Sequence, residues 1–132
     1  MPGFWFSRKK LLAEPKLLGR WGERRCERFL RRKGLKTVLR NFSCKLGEID
    51  LVMSSTDNGL VFVEVKTRTD EKFSNAESSI TLAKQTKLIR TAKYFIQTRN
   101  IENIPLRFDV AVVILGEKGK PQIRHYENAF VP

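Results

Sequence analysis

The stretch GEIDLVMSSTDNGLVFVEVKTR, residues 47–68, decides how this chain is read. Two runs of alternating character flank a polar, turn-forming segment, which is the pattern of two short strands. Alternation predicts Ile49, Leu51 and Met53 on one face of the first strand, with Glu48, Asp50 and Val52 on the other. In the second strand Val61, Val63 and Val65 share a face, and Phe62, Glu64 and Lys66 take the opposite one. The two apolar faces join one core only if odd residues pair with odd residues, because a one-residue slip turns every side chain across the sheet. This excludes a two-residue turn at Asn58-Gly59. The loop must hold an odd number of residues, and 55–59 supplies five positions rich in turn formers. Asp50 then stands directly across from Glu64, with Lys66 two residues on and on the same face.

The 132 residues, 41% of them apolar, suffice for one domain with an ordinary core and exclude a disordered chain. Cys26 and Cys44 make neither a disulfide framework nor a metal-binding series, so a reducing cytoplasm is expected. No run approaches the roughly 20 apolar residues of a membrane span. Phe4-Trp5-Phe6 is too short for a signal-peptide core, and its cations follow it rather than precede it. The net charge of +12 is unevenly placed: residues 1–47 hold 14 Lys or Arg against three acids, and the remainder hold 12 against 11. Such a regional excess suits a surface that meets a polyanion, with nucleic acid, DNA or RNA, the leading partner.

Residues 1–15 read as a loosely held basic and aromatic arm broken by Pro2, Gly3 and Pro15, ahead of a single domain over 16–132. Residues 16–33 read as a helix with an apolar stripe of Leu18, Trp21, Gly22, Cys26, Phe29 and Leu30, ended by Gly34. Six arginines, Arg20 and Arg24 among them, crowd the rest of its circumference. Glu23 lies at the stripe's edge, where a carboxylate pairs readily with Arg20. Residues 36–44 suggest a strand interrupted near Asn41, after which the hairpin supplies the next two. Residues 69–79 read as a mobile polar loop, and 82–98 as a second helix with Thr81 as its N-cap. Residues 107–115 read as a buried strand and 122–126 as an edge strand. The order α-β-β-β-α-β-β predicts an α/β fold, one mixed sheet flanked by helices.

Asp50 and Glu64 facing each other offer hard oxygen ligands that one divalent ion can bridge, which suits Mg2+ or Mn2+ better than Zn2+. Without an ion the two repel, and Lys66 offsets part of that, so a charged cluster on a solvated face fits the same residues. With an ion held by Asp50, Glu64 and the backbone carbonyl of Val65, the site suits phosphodiester hydrolysis. Lys66 would then position water or stabilise developing charge, and the basic helix, through Arg20 and Arg24, would hold the rest of the polyanion.

These residues resemble a known pattern. A helical acid, an Asp and Glu-x-Lys, in the order helix, three strands, helix, strand, is similar to the PD-(D/E)XK restriction-endonuclease-like superfamily. More closely, the chain resembles the YraN-like family of small bacterial proteins through Gly22-Glu23, GEIDL at 47–51, FVEVK at 62–66 with Arg68, Lys84, RFDV at 107–110 and NAF at 128–130. The match runs over about residues 18–130. The resemblance implies a nuclease-like fold, places Asp50, Glu64 and Lys66 in catalytic positions, and makes Glu23 an auxiliary acid. It also directs Arg68, Lys84 and Gln85 toward the substrate cleft.

His125, without a ligand partner at useful spacing, is expected on the surface of the edge strand. Asp109 is expected to pair with Arg107 or another cation at a sheet end, and Glu48 to support Asp50. The leading reading is a metal-dependent nuclease-like protein acting on DNA or RNA. Its competitors are a non-catalytic nucleic-acid-binding module on the same fold and, less directly, an adaptor at an anionic membrane surface held by the arm.

Overall fold

A computed structural model of the chain describes residues 7–70, 80–116 and 121–132. Its centre is the hairpin of strands β2 (Gly47–Ser54) and β3 (Leu60–Arg68). They run antiparallel in a register that pairs Leu51 with Val63 and Ser54 with Leu60, leaving the five-residue loop that face parity requires. Ser55 N–H donates to the Gly59 carbonyl at 3.0 Å, and Asp57 accepts from Gly59 N–H at 3.0 Å. Asn58 takes the left-handed conformation, φ 65°, that such a turn needs. Continued one step, this register sets Asp50 opposite Glu64.

The expected faces need one correction. Leu51 and Met53 lie on one side of the sheet, but Ile49 packs with Val52 and Phe62 on the other. The cause lies in the neighbouring strand β1 (Lys36–Cys44), paired antiparallel with β2 so that Arg40 meets Leu51 and Phe42 meets Ile49. Asn41, between those pairs and across from Asp50, has φ 51°. A residue in that conformation breaks the two-residue alternation, so Leu39 and Phe42 pack on one side although three residues apart. The interruption expected near Asn41 is therefore present, and its effect carries across to β2.

Helix α1 (Arg8–Ala13) precedes α2 (Pro15–Arg32), and α3 (Leu82–Thr98) joins β3 to β4 (Leu106–Ile114), followed by β5 (Gln122–Phe130). The sheet order is β1-β2-β3-β4-β5, antiparallel at every step except the parallel pair β3–β4. A parallel pair cannot be closed by a tight turn, and α3 is its crossover. The result is a mixed α/β fold with a five-stranded sheet between helical layers.

Both faces of the sheet are buried, so the even-numbered face of the hairpin is not solvated as a simple alternating strand would be. On one side Trp21, Cys26 and Leu30 of α2 pack with Leu51, Met53, Val61 and Val63. On the other, Leu88, Ala92 and Phe95 of α3 pack with Val52, Phe62, Val110 and Val112. Pro15 begins α2 with a preset φ, and Gly34, at φ 102°, ends it. Thr81 caps α3, its hydroxyl accepting from Lys84 N–H at 3.2 Å. The described part of the expected arm is not loose. Ser7 caps α1, Leu11 is buried with the α2 core, and Arg8 Nε donates to the Gly116 carbonyl at 3.0 Å. Residues 1–6 and the greater part of the expected mobile loop, 71–79, lie outside the described residues.

Two glycines set how closely the helices approach the hairpin. A Cβ on Gly22 would lie 1.9 Å from Thr67 Oγ1, so α2 seats against β3 only because that position has no side chain. A Cβ on Gly47 would lie 2.8 Å from Thr91 Oγ1, which makes the same demand between β2 and α3.

Candidate functional site

The β2–β3 ladder runs as far as Leu51 opposite Val63 and then opens. Into this opening the Asp50 carboxylate accepts a hydrogen bond from Val65 N–H at 2.8 Å, replacing the backbone carbonyl that a continued ladder would supply. In extended backbone a residue's N–H and C=O point toward the same neighbouring strand, so the Val65 carbonyl is directed into the same opening. Burial, and then the negative charge of Glu64 beside it, push the Asp50 carboxyl up from 3.8 to about 8; the Val65 hydrogen bond opposes this without cancelling it.

Glu23 reaches this point from the opposite layer. Gly22 allows its turn of α2 to lie against Thr67, and the Asn41 side chain hydrogen-bonds the Glu23 carboxylate. Burial raises the Glu23 pKa, Asn41 works against that, and Glu64 raises it further. Glu23 is therefore more than the surface carboxylate paired with Arg20 that its spacing also allowed: Arg24 and Arg20 favour its charge, but less than burial disfavours it. Glu64 is within 3.6 Å of Lys84 Nζ. Among the described residues no three His, Cys, Asp or Glu side chains stand together closely enough to enclose an ion. Glu23 stands back from the Asp50–Glu64 pair, and the oxygen donors at the opening are those two carboxylates and the Val65 carbonyl.

The pair lies between cavities. One of about 290 Å3 is lined by Glu23, Glu64, Val65, Lys66, Arg68 and Lys84. A second, of about 600 Å3, has Lys16, Arg20, Glu23, Asn41 and Glu48 in its walls. A third, of about 500 Å3, opens on the α3 side, has Asp50 in its wall and shares Glu64 and Lys84 with the first. Asp50, Glu64, Lys66 and Glu23 thus converge from three elements, with Arg20, Arg68 and Lys84 around them. Arg24 acts on both Glu23 and Glu27 through its charge. Gln85 turns to its own helix start, its amide donating to the Ile80 carbonyl at 2.9 Å. Sequence reasoning did not find Asn41, Lys45 or Lys87 at these cavities. For Asn41 the signal was available, since a polar residue that interrupts a strand has a side chain to place elsewhere.

Other buried charges are held differently. Burial works to raise the Glu27 pKa, but hydrogen bonds from Arg40 Nε at 2.8 Å and Thr37 Oγ1 at 2.6 Å hold it below the usual carboxylate value. Asp109 pairs with Arg107 as expected, at 2.8 and 2.9 Å. It also accepts from Asn128 N–H at 2.9 Å and from His125 Nε2 at 2.7 Å. These bonds outweigh its burial and lower its pKa. His125 is consequently not a surface residue: its side chain is 3% exposed. Lys33 Nζ donates to its Nδ1 at 2.9 Å, which leaves Nε2 as the nitrogen that carries hydrogen toward Asp109. Cys26 is also inert, its thiol pushed up to about 12 by burial and then by Asp50.

The class defined by this geometry is a mixed α/β protein with a carboxylate pair where two central strands part, beneath a basic helix. The sequence profile described as "Uncharacterised protein family UPF0102" matches residues 22–113, from Gly22 on α2 through most of β4. The chain belongs to that family, the YraN family its motifs resembled. A UPF0102 protein of Pelotomaculum thermopropionicum is 42% identical over 116 residues, covering 87% of this chain and 96% of its own. One from Caldicellulosiruptor saccharolyticus is 42% identical over 86% of this chain and 96% of its own. A third, from Nitrosospira multiformis, is 44% identical over 87% and 93% respectively. No helix among the described residues is long and apolar enough to cross a membrane.

Proposed function

We propose that this chain is a metal-dependent nuclease-like protein on a restriction-endonuclease-like fold, hydrolysing phosphodiester bonds of DNA or RNA with Mg2+ or Mn2+. The observation that carries the reading is the Asp50–Glu64 pair, two carboxylates held together in the hairpin opening with Asp50 pushed up to about 8. Like charges so placed favour either a shared proton or a cation between them. The donor set fits a hard divalent ion. Asp50, Glu64 and the Val65 carbonyl would hold it, and the shortage of a third acidic side chain suits an ion that keeps several waters. When bound, such an ion polarises a phosphate oxygen and lowers the pKa of a coordinated water.

The chain's own groups divide the remaining work. Lys66 positions the attacking water or stabilises charge developing on the phosphoryl group. Glu23 on α2 and Asn41 on β1 border the approach, and Glu23, half-buried with a raised pKa, would exchange a proton with a bound water. Arg20, Arg24 and Arg68 hold flanking phosphates, and Lys84 exchanges its contact with Glu64 for one with substrate.

A non-catalytic nucleic-acid-binding module is the second reading. The observation in its favour is that Lys84 already stands 3.6 Å from Glu64 and offsets part of the acidic charge without a metal. The two are separated by assaying single-stranded, duplex and branched DNA and RNA with either ion, for wild type, Asp50→Ala and Glu64→Ala. Ion-dependent cleavage lost in both variants is expected. No cleavage of any substrate, with affinity retained or raised in the variants, would favour the binding module, and cleavage indifferent to both substitutions would place the chemistry elsewhere.

A further inference from the structure

The cavity on the α3 side contains two cations that the reading above leaves unused. It holds about 500 Å3 and is walled by the β1–β2 turn through Ser43, Cys44 and Lys45, and by α3 through Lys84 and Lys87. Asp50, Glu64 and Glu48 border the same space. Gly47 keeps the two walls close, since a Cβ there would lie 3.2 Å from Lys87 Cγ. Lys45 and Lys87 are exposed, and neither forms an ion pair with another described residue, whereas Lys84 reaches Glu64. Ammonium groups in the walls of one cavity, next to a carboxylate pair suited to an ion, match phosphate rather than a metal.

Beyond the cavity the same flank of α3 carries an aromatic ring. Tyr94 is seven residues from Lys87, two helical turns or roughly 10.5 Å along the axis. It is 43% exposed, and its ring lies 6.5 Å from that of Phe42. The Arg99 guanidinium sits over Phe42 at 5.5 Å, which extends the flat surface across β1. Cations followed by an exposed ring, within the span of about two nucleotides, form a platform for a single strand, because every base can stack. The cavity falls within the roughly 300–1,000 Å3 that takes one small-molecule-sized unit. That is room for one nucleotide.

We infer that this cavity and the α3 flank beyond it receive an unpaired nucleic-acid strand, with a backbone phosphate between Lys45 and Lys87 and a following base on Tyr94. The inference rests on the nucleic-acid reading of the adjacent carboxylate site and deepens it. The strand entering along the α2 arginines leaves along α3, so the substrate is single-stranded or unpaired beside the bond that is cut.

The test measures binding without divalent ions, where no strand is cut, for a short single strand and a hairpin duplex of equal length over a range of salt. Wild type is expected to prefer the single strand. Lys45→Ala with Lys87→Gln, the latter keeping its methylenes against Gly47, is expected to reduce the slope of log K against log salt by about 0.7 for the single strand, the share of the one phosphate they hold. Tyr94→Ala is expected to weaken single-strand binding by about tenfold with the slope unchanged and little effect on duplex. Unaltered single-strand binding in both variants, with circular dichroism confirming their fold, overturns the inference. So does equal loss on duplex and single strand. If wild type cleaves nothing with Mg2+ or Mn2+, the hydrolytic reading fails on its own, and the binding results still decide this one.

Discussion

Replacing Asp50 with Asn should abolish cleavage and, in the absence of divalent ions, make the protein more stable. In the unfolded chain Asp50 ionises near its ordinary 3.8, whereas burial and Glu64 raise it to about 8 in the fold. A carboxyl raised in the folded state binds its proton more tightly there, so stability is greatest at low pH. It falls as pH rises between the two values and levels off above the upper one. At pH 7 the part of the shift already crossed, from 3.8 upward, corresponds to roughly 4 kcal/mol, and sharing of the proton with Glu64 brings the expected gain from Asn to about 2–4 kcal/mol. Asn retains an oxygen that can accept from Val65 N–H, so the strand geometry at the opening is kept.

The assay is thermal unfolding in chelator at a series of pH values, wild type against Asp50→Asn. Tm should be nearly equal near pH 4, and the variant should lead by roughly 6–15 °C at pH 8. Added Mn2+ should raise wild type through mass action and leave the variant unchanged. An Asn variant that is no more stable than wild type at pH 8, or a difference that is constant across pH, would refute the argument that Asp50 is held against its preferred charge state.

Gly22→Ala forces a methyl toward Thr67 Oγ1, 1.9 Å away, and should cost about 1–3 kcal/mol in urea unfolding. Because α2 carries Glu23, cleavage should fall further than the loss of folded protein explains, which a rate normalised to folded fraction will show. Asp109→Asn leaves Arg107 without its buried partner and should cost about 3 kcal/mol by the same measurement, with the salt dependence of nucleic-acid binding unchanged. Since the Asp109 and Glu27 pKa values are lowered in the fold, their contribution is present above the ordinary carboxylate range and is lost as pH falls through the folded values. The acid limb of a pH–stability curve should accordingly flatten in Asp109→Asn. Arg20→Ala with Arg24→Ala should reduce the salt slope for single strands by about 1.4, read by titration at several salt concentrations.

Much of the hairpin was legible in the sequence because β pairing has a rigid parity. The five-residue loop and the Asp50–Glu64 opposition follow from which residues must share a face; the register shows the loop and, continued one step past Leu51 and Val63, sets the two acids opposite each other. What parity could not supply was its own interruption. Asn41 adopts φ 51°, and one left-handed residue moves Ile49 to the other core and turns Asn41 toward Glu23. Two-sided burial was also hidden in the hairpin, since Val52 and Phe62 alternate with acids as a half-solvated strand would. The covering helix comes from residues more than 20 positions away. The place of His125 depends on a contact 92 residues away in sequence, from Lys33 at the end of α2, and no local pattern records such a meeting. Glu27 illustrates the same limit: it is one turn from Glu23 on α2, yet one acid is buried beneath Arg40 and the other opens on the cleft.

That contrast bears on what the carboxylate pair is for. A buried carboxylate is costly unless donors surround it, and this chain supplies them where the acid is structural. Glu27 has an arginine and a threonine, and Asp109 has an arginine, a histidine and a backbone N–H. Both end with lowered pKa values despite their burial. Asp50 has one backbone N–H and a second acid, and its pKa is raised. Lys84, 3.6 Å from Glu64, lies on the Glu64 side of the pair, with its side chain 59% exposed. Were Asp50 part of the scaffold, a neutral amide would make the same bond to Val65 without the charge. The folded chain leaves the charge of Asp50 uncompensated, and the divalent cation proposed for the opening of β2 and β3 would compensate it.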